Sequence, residues 1–280
     1  MAGVMQMICA WKELLSVLPP DIRQDVDQNG YQELQEIRLR LQLPAELVLV
    51  SHNRWLTRII TPEDLSFVIN AASRFSPWAA ETISRGFLTA PGGHRIGVCG
   101  EAVCKNGKMD GIRQVTSVCI RVAKDYSQIV DLSHIHGSVL ILGAPGWGKT
   151  TLLRDLIRQL SENSMVCVVD ERKELFPQTF QTGKQTDILS GCSKAEGLTC
   201  LLRAMRPDYL AVDEITEEQD CLALIQAANC GVRLAATAHA SSWKDYLGRS
   251  IYRPLISENI FQTILILNKD KSYTVERMGI

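Results

Sequence analysis

"SVLILGAPGWGKTTLLRDLIRQL", residues 138–160, decides the fold. Its first five residues are apolar with almost no polar interruption, as a strand buried on both faces is. The loop Gly143-Ala144-Pro145-Gly146-Trp147-Gly148-Lys149-Thr150 follows, and Thr151 leads into the helical pattern "TLLRDLIRQL". Strand, G-x-x-x-x-G-K-[ST] loop and helix in that order form a phosphate cradle. The glycines let backbone N–H groups converge on the anion at a helix N-terminus, where the helix dipole also favours negative charge. Lys149 is then expected to reach the β- and γ-phosphates of ATP, and Thr150 to place its hydroxyl on Mg2+.

Three further apolar runs, "MVCVVD", "YLAVD" and "RLAATAH", are spaced by segments long enough for helices. Parallel strands with crossovers read this way, so residues 136–280 are assigned to an α/β domain. In such a sheet the strand ends lie on the edge from which the phosphate loop emerges. Asp213, which ends one run, is placed to share the Mg2+ shell, and Glu214 to act on the attacking water as a general base. Two other runs end in Asp170 and Glu171 and in His239.

Residues 1–135 read as a smaller mixed α+β domain. "EIRLRLQL" alternates like a strand with "PAELVLV" as its partner, and "TPEDLSFVINAASRF" is a helix with Thr61 as its N-cap. "GGHRIGVCGEAVCKNGKMDGIRQVTSVCIRVA" alternates around Asn106-Gly107, a hairpin signal. "KDYSQIVDLSHIHGS" loses the alternation and reads as a linker, with the boundary near residue 135. The opening "MAGVMQMICAWKELLSVL" is apolar on one helical face; it reads as a packed helix, and a membrane-surface anchor has the same stripe.

Hydrophobic residues at 46%, charged residues at 22% and a net charge of −1 fit an ordinary folded protein and lack the basic excess of a nucleic-acid binder. The nine cysteines form no C-x-x-C pair and no zinc-finger spacing, and with no secretory leader they suit a reducing cytosol. No stretch reaches the roughly 20 apolar residues of a membrane span.

Taken in order, "GAPGWGKTT", "VVDERKE", "LLRAMRPDYLAVDEI" and "ATAHA" resemble the Walker A, acidic-box, Walker B and His-box segments of the ATPases that power type II and type IV secretion and pili. The similarity covers the chain from about residue 137, and with its short N-terminal half the whole chain is most similar to the sporulation branch of endospore-forming bacteria. The resemblance implies a RecA-like P-loop NTPase domain, ATP and Mg2+ as ligands, and a homo-oligomeric ring, a hexamer, with nucleotide between domains and between subunits. It places the ring in the mother-cell cytoplasm, peripheral to the membrane through membrane-embedded sporulation channel proteins. By motif position Glu171 matches the acidic-box carboxylate, Glu214 the Walker B glutamate, and His239 the residue that senses the γ-phosphate.

Two departures accompany the likeness. Asp213-Glu214 stands where many secretion ATPases have Gly-Glu, and the sequence stops soon after "FQTILILNKDKSYTVERMGI", so the extended C-terminal part of pilus motors is expected to be missing. A cation beyond Lys149 is needed at the transition state; Arg95, Arg113 and Arg121 in the N-terminal half, and Arg203 and Arg206 before the Walker B strand, are the candidates. The alternatives are a nucleic-acid motor of the same broad fold and a structural ring that binds nucleotide with little turnover.

Overall fold

In the computed structural model, described over residues 6–73, 86–105, 107–177 and 180–277, the chain divides into two compact units. One is chiefly Met7–Asp125, the other chiefly Tyr126–Pro177 with Gln181–Ile280.

In the first unit, β2 (Leu34–Arg40), β3 (Pro44–Leu49), β4 (Asn53–Ile59), β5 (Phe87–Thr89), β6 (Arg95–Lys105) and β7 (Lys108–Arg121) form one sheet in the order β4-β3-β2-β7-β6-β5. Every pairing in it is antiparallel. Alternate residues such as Ile37, Leu39, Leu47, Ile96 and Ile120 are fully buried, in one core with Leu14 of α1 (Trp11–Ser16), Ile22 of α2 (Pro20–Asn29) and Val68 of α3 (Pro62–Ser73). Thr61 starts α3 as anticipated: its hydroxyl accepts from the Asp64 N–H at 3.4 Å, and the Asp64 carboxylate accepts from the Thr61 N–H at 2.9 Å. The long hairpin closes with Lys105 opposite Lys108 and Gly107 at φ +75°. Asn106 lies outside the described residues.

The expected N-terminal helix is shorter than its apolar stripe. Residues 1–5 lie outside the described residues, and Gln6–Ile8 form β1, which pairs with β8 (Asp125–Ser127) in a two-stranded ribbon. Sheet pairing takes that backbone, so among the described residues of this stretch the helix is confined to Trp11–Ser16.

The second unit holds a seven-stranded sheet. Its strands are β9 (Val139–Gly143), β10 (Val166–Asp170), β11 (Thr186–Ser190), β12 (Tyr209–Ile215), β13 (Arg233–His239), β14 (Thr263–Leu267) and β15 (Tyr273–Arg277). The order is β11-β10-β12-β13-β9-β14-β15, parallel throughout except for the β14–β15 hairpin. Alternate residues feed two cores. Leu140, Leu142, Val169 and Val212 pack with Leu198 of α5 (Lys194–Ala204) and Leu224 of α6 (Glu218–Asn229). Val139, Ile141, Val168 and Ala211 pack with Leu153, Leu156 and Ile157 of α4 (Lys149–Leu160). A sheet covered on both faces explains why its strands read as unbroken apolar runs. The segment expected as a linker is bound to this unit: Asp155, fully buried in α4, accepts from the N–H groups of Gln128, Ile129 and Val130 at 2.7–2.9 Å.

Candidate functional site

β9 lies between β13 and β14 and ends at Gly143, so the phosphate loop opens at the middle of the sheet's C-terminal edge. Gly146 and Gly148 have φ of +75° and +103°, where side chains are strained. At Gly143 the constraint is space, because a Cβ would lie 3.1 Å from Lys149 Cγ and 3.2 Å from Leu267 Cβ. α4 begins at Lys149, so the unpaired N–H groups of its first turn face the loop. Ala144 offers its carbonyl to the Trp147 N–H at 3.2 Å, Pro145 is exposed, Trp147 packs half-buried on the α4 side, and Thr151 sits in the first turn.

Lys149 is buried, and Nζ donates to the Ala144 carbonyl at 3.2 Å and to His239 Nδ1 at 2.9 Å. An ammonium has no lone pair, so Nδ1 accepts and the neutral ring carries its proton on Nε2. His239 Nε2 then donates to Glu214 Oε1 at 2.5 Å, and Arg172 Nη1 donates to Glu214 Oε2 at 2.6 Å. The result is an unbroken chain from Lys149 through His239 and Glu214 to Arg172. A second branch starts at Thr150, whose Oγ1 donates to Asp213 Oδ2 at 2.7 Å. Thr237 Oγ1 donates to Asp213 Oδ1 at 2.6 Å and accepts from the Glu214 N–H at 2.7 Å.

Both carboxylates reach the loop because β12 is irregular. Neighbouring side chains of a regular strand point to opposite faces. Here the register with β13 shifts between Val212 and Ile215, and Glu214 has φ +59°. This bulge brings Asp213 to Thr150 and Glu214 to His239 together, at the cost of a conformation rare for a non-glycine residue.

Burial lowers the Lys149 ammonium below the usual lysine range, against the charges of Asp213 and Glu214, which raise it. Burial pushes the Glu214 carboxyl up, but the His239 hydrogen bond and the Arg172 charge outweigh it and hold the group below the usual glutamate range.

The remaining sequence candidates have other partners. Glu171 pairs at 2.5 Å with buried Lys194, which also lies 3.5 Å from Asp220. Asp170 accepts from the N–H groups of Glu174 and Leu175, both at 3.0 Å, so it holds the turn after β10. In the first unit Arg95 lies over the Phe87 ring, Arg113 pairs with Glu101 and Arg121 with Glu36. Arg203 is in the last turn of α5, and Arg206 follows it with φ +49°. The arginine that reaches Glu214 is Arg172, which sequence reasoning passed over; its one signal was its place inside "DERKE", next to a strand tip. Thr237 and Lys271, which donates to the Gly146 carbonyl, were also missed.

The chain belongs to the family described as sporulation stage III, protein AA, which matches residues 11–279. It is 34% identical to the stage III sporulation protein AA of Bacillus subtilis over 92% of this chain and 91% of that one. Among solved structures, the ATPase DotB of Legionella pneumophila superposes with a TM-score of 0.56 at 18% identity, covering 87% of this chain and 76% of that one. The pilus retraction motor PilT with bound ADP gives 0.59 at 15% identity, covering 88% and 76%. These likenesses establish the RecA-like P-loop architecture with a smaller N-terminal domain. Among the described residues no helix is long and apolar enough to cross a membrane.

Proposed function

We propose that this member of the sporulation stage III protein AA family is an oligomeric ATP hydrolase that powers assembly or operation of a transport channel between mother cell and forespore. One observation carries the reading: Lys149 and Thr150 of the phosphate loop hydrogen-bond directly to His239 and Asp213 at the tips of two neighbouring strands, and His239 passes the connection on to Glu214. The ADP bound to the pilus motor and the sporulation protein of Bacillus subtilis support the ligand class and the setting.

The Thr150 hydroxyl and Asp213 carboxylate are hard oxygen donors 2.7 Å apart, which suits Mg2+. The ion when bound offsets charge on the β- and γ-phosphoryl oxygens. In this account Lys149 leaves His239 for those oxygens. Glu214 takes a proton from water as the water oxygen bonds to the γ-phosphorus, and the bridging P–O bond breaks to release ADP. Glu171 supplies the second acidic group at the sheet edge, and His239 reports the γ-phosphate to Glu214. The likeness to secretion ATPases supports a hexameric ring, cytoplasmic and docked on membrane-embedded channel proteins, with Arg95, Arg113 or Arg121 acting on a neighbour's nucleotide. A net charge of −1 argues against nucleic acid as the substrate.

Glu214→Gln tests the reading, since the amide keeps the shape and loses the base. The variant is expected to retain unhydrolysed ATP through gel filtration while the parent releases ADP. Mass action puts its thermal stabilisation by ATP at about 2.7 kcal/mol when ligand is a hundredfold above Kd. Hydrolysis at the parent rate removes Glu214 from this role.

A further inference from the structure

We infer that Arg172 is a catalytic cation supplied by the same chain as the phosphate loop: it exchanges its contact with Glu214 for the γ-phosphoryl group when ATP binds, and so frees Glu214 to act on water. The inference rests on the ATP hydrolase reading and adds to it a residue outside all four boxes' expected roles.

Geometry makes the exchange natural. Both oxygens of the Glu214 carboxylate are engaged, one by His239 at 2.5 Å and the other by Arg172 at 2.6 Å. His239 is in turn held by Lys149 at 2.9 Å. Arrival of phosphate at Lys149 therefore loosens one end of a chain whose other end is Arg172. A general base must offer an oxygen to water, and departure of Arg172 provides one.

The root of Arg172 is held, while its head, bonded to Glu214, lies largely in solvent. Asp170 binds the N–H groups of Glu174 and Leu175, and Glu171 is pinned by buried Lys194 at 2.5 Å, so the backbone on both sides of Arg172 is held. The Arg172 side chain itself is 59% exposed. Only the guanidinium has to move, and it needs no backbone rearrangement to do so.

Charge supplies the direction. Among the side chains of the site, Lys149 and Arg172 balance Asp213 and Glu214. A triphosphate adds negative charge next to Lys149, and a guanidinium matches a phosphoryl group bidentately and more strongly than a singly charged carboxylate. The contact forms in full only when the γ-phosphate is present, so it distinguishes ATP from ADP and strengthens as charge builds on the departing phosphoryl group.

The test measures binding first. In the Glu214→Gln background, where ATP is not consumed, Arg172→Ala is expected to weaken ATP about tenfold or more, the size of one charge-assisted hydrogen bond, while ADP affinity holds within about twofold. Arg172→Lys keeps the charge without the fork and should fall between. In the otherwise unaltered protein, Arg172→Ala should lower kcat on the order of 10³-fold or more, as loss of such an arginine does, with a far smaller change in KM. ATP and ADP weakened equally, or neither weakened, overturns the role of Arg172 and leaves the hydrolase reading standing. Failure of the Glu214→Gln protein to bind either nucleotide overturns both.

Discussion

Thr237, fully buried at the tip of β13, serves two neighbours with one hydroxyl: it donates to Asp213 and accepts from the Glu214 N–H. Thr237→Val keeps the shape and removes both bonds. The stranded N–H sets a cost of about 1–3 kcal/mol. The bulge also loses its tie to β13, so hydrolysis should fall by more than thermal denaturation accounts for, and Thr237→Ser should restore both. His94 acts the same way in the first unit. It is fully buried, accepts from the Ala123 N–H at Nδ1 and meets the Ala10 carbonyl through Nε2, both at 3.0 Å, so the proton sits on Nε2. Burial lowers its pKa below 6.5. The unfolded chain therefore takes up the second ring proton more readily than the folded one, in which Nδ1 is occupied by the Ala123 N–H. The stability that follows is complete above the unfolded value and is lost as pH falls through the folded one. Thermal denaturation of the parent between about pH 7 and 5 should show a steeper loss than that of His94→Gln; equal slopes would contradict it.

At the scale of elements, α5 lies close on β10 because Gly197 has no side chain: a Cβ there would sit 2.5 Å and 2.9 Å from the two methyl carbons of Val169. Gly197→Ala must push the helix from the strand that carries Asp170, Glu171 and Arg172 at its tip. Overpacking of this kind costs about 1–3 kcal/mol, and a melt of the variant reads it; an unchanged midpoint would mean that the helix yields freely. β9, β10, β12 and β13 were legible in the sequence because strands covered on both faces are continuous apolar runs. β11, "TDILS", was not, since an edge strand with half-exposed residues carries no such run. β14, "TILIL", is an unbroken buried apolar run that carried the same signal and is not among the strands read from the sequence. The phosphate loop and the strand tips could be placed from local pattern. The β12 bulge and the Arg172–Glu214 contact could not, because each depends on a neighbouring strand, the latter 42 residues away. Spacing alone likewise does not separate Arg172 from Arg95, Arg113, Arg121, Arg203 and Arg206.

At the scale of the molecule, a site shared between copies predicts that total hydrolysis rises more steeply than linearly with protein concentration near the assembly threshold. An Arg95→Ala, Arg113→Ala or Arg121→Ala protein that binds ATP but does not turn over should recover partly when mixed with Glu214→Gln, because one mixed interface joins an intact arginine to an intact base. Constant specific activity with no recovery in any pairing would leave each chain complete in itself. The central claim, that the loop opened by Gly143 works with Glu214 to hydrolyse ATP, is tested most directly by phosphate release from purified parent and Lys149→Ala protein measured side by side in ATP and Mg2+. The account predicts steady release by the parent and none above background by Lys149→Ala; equal release by the two would contradict it.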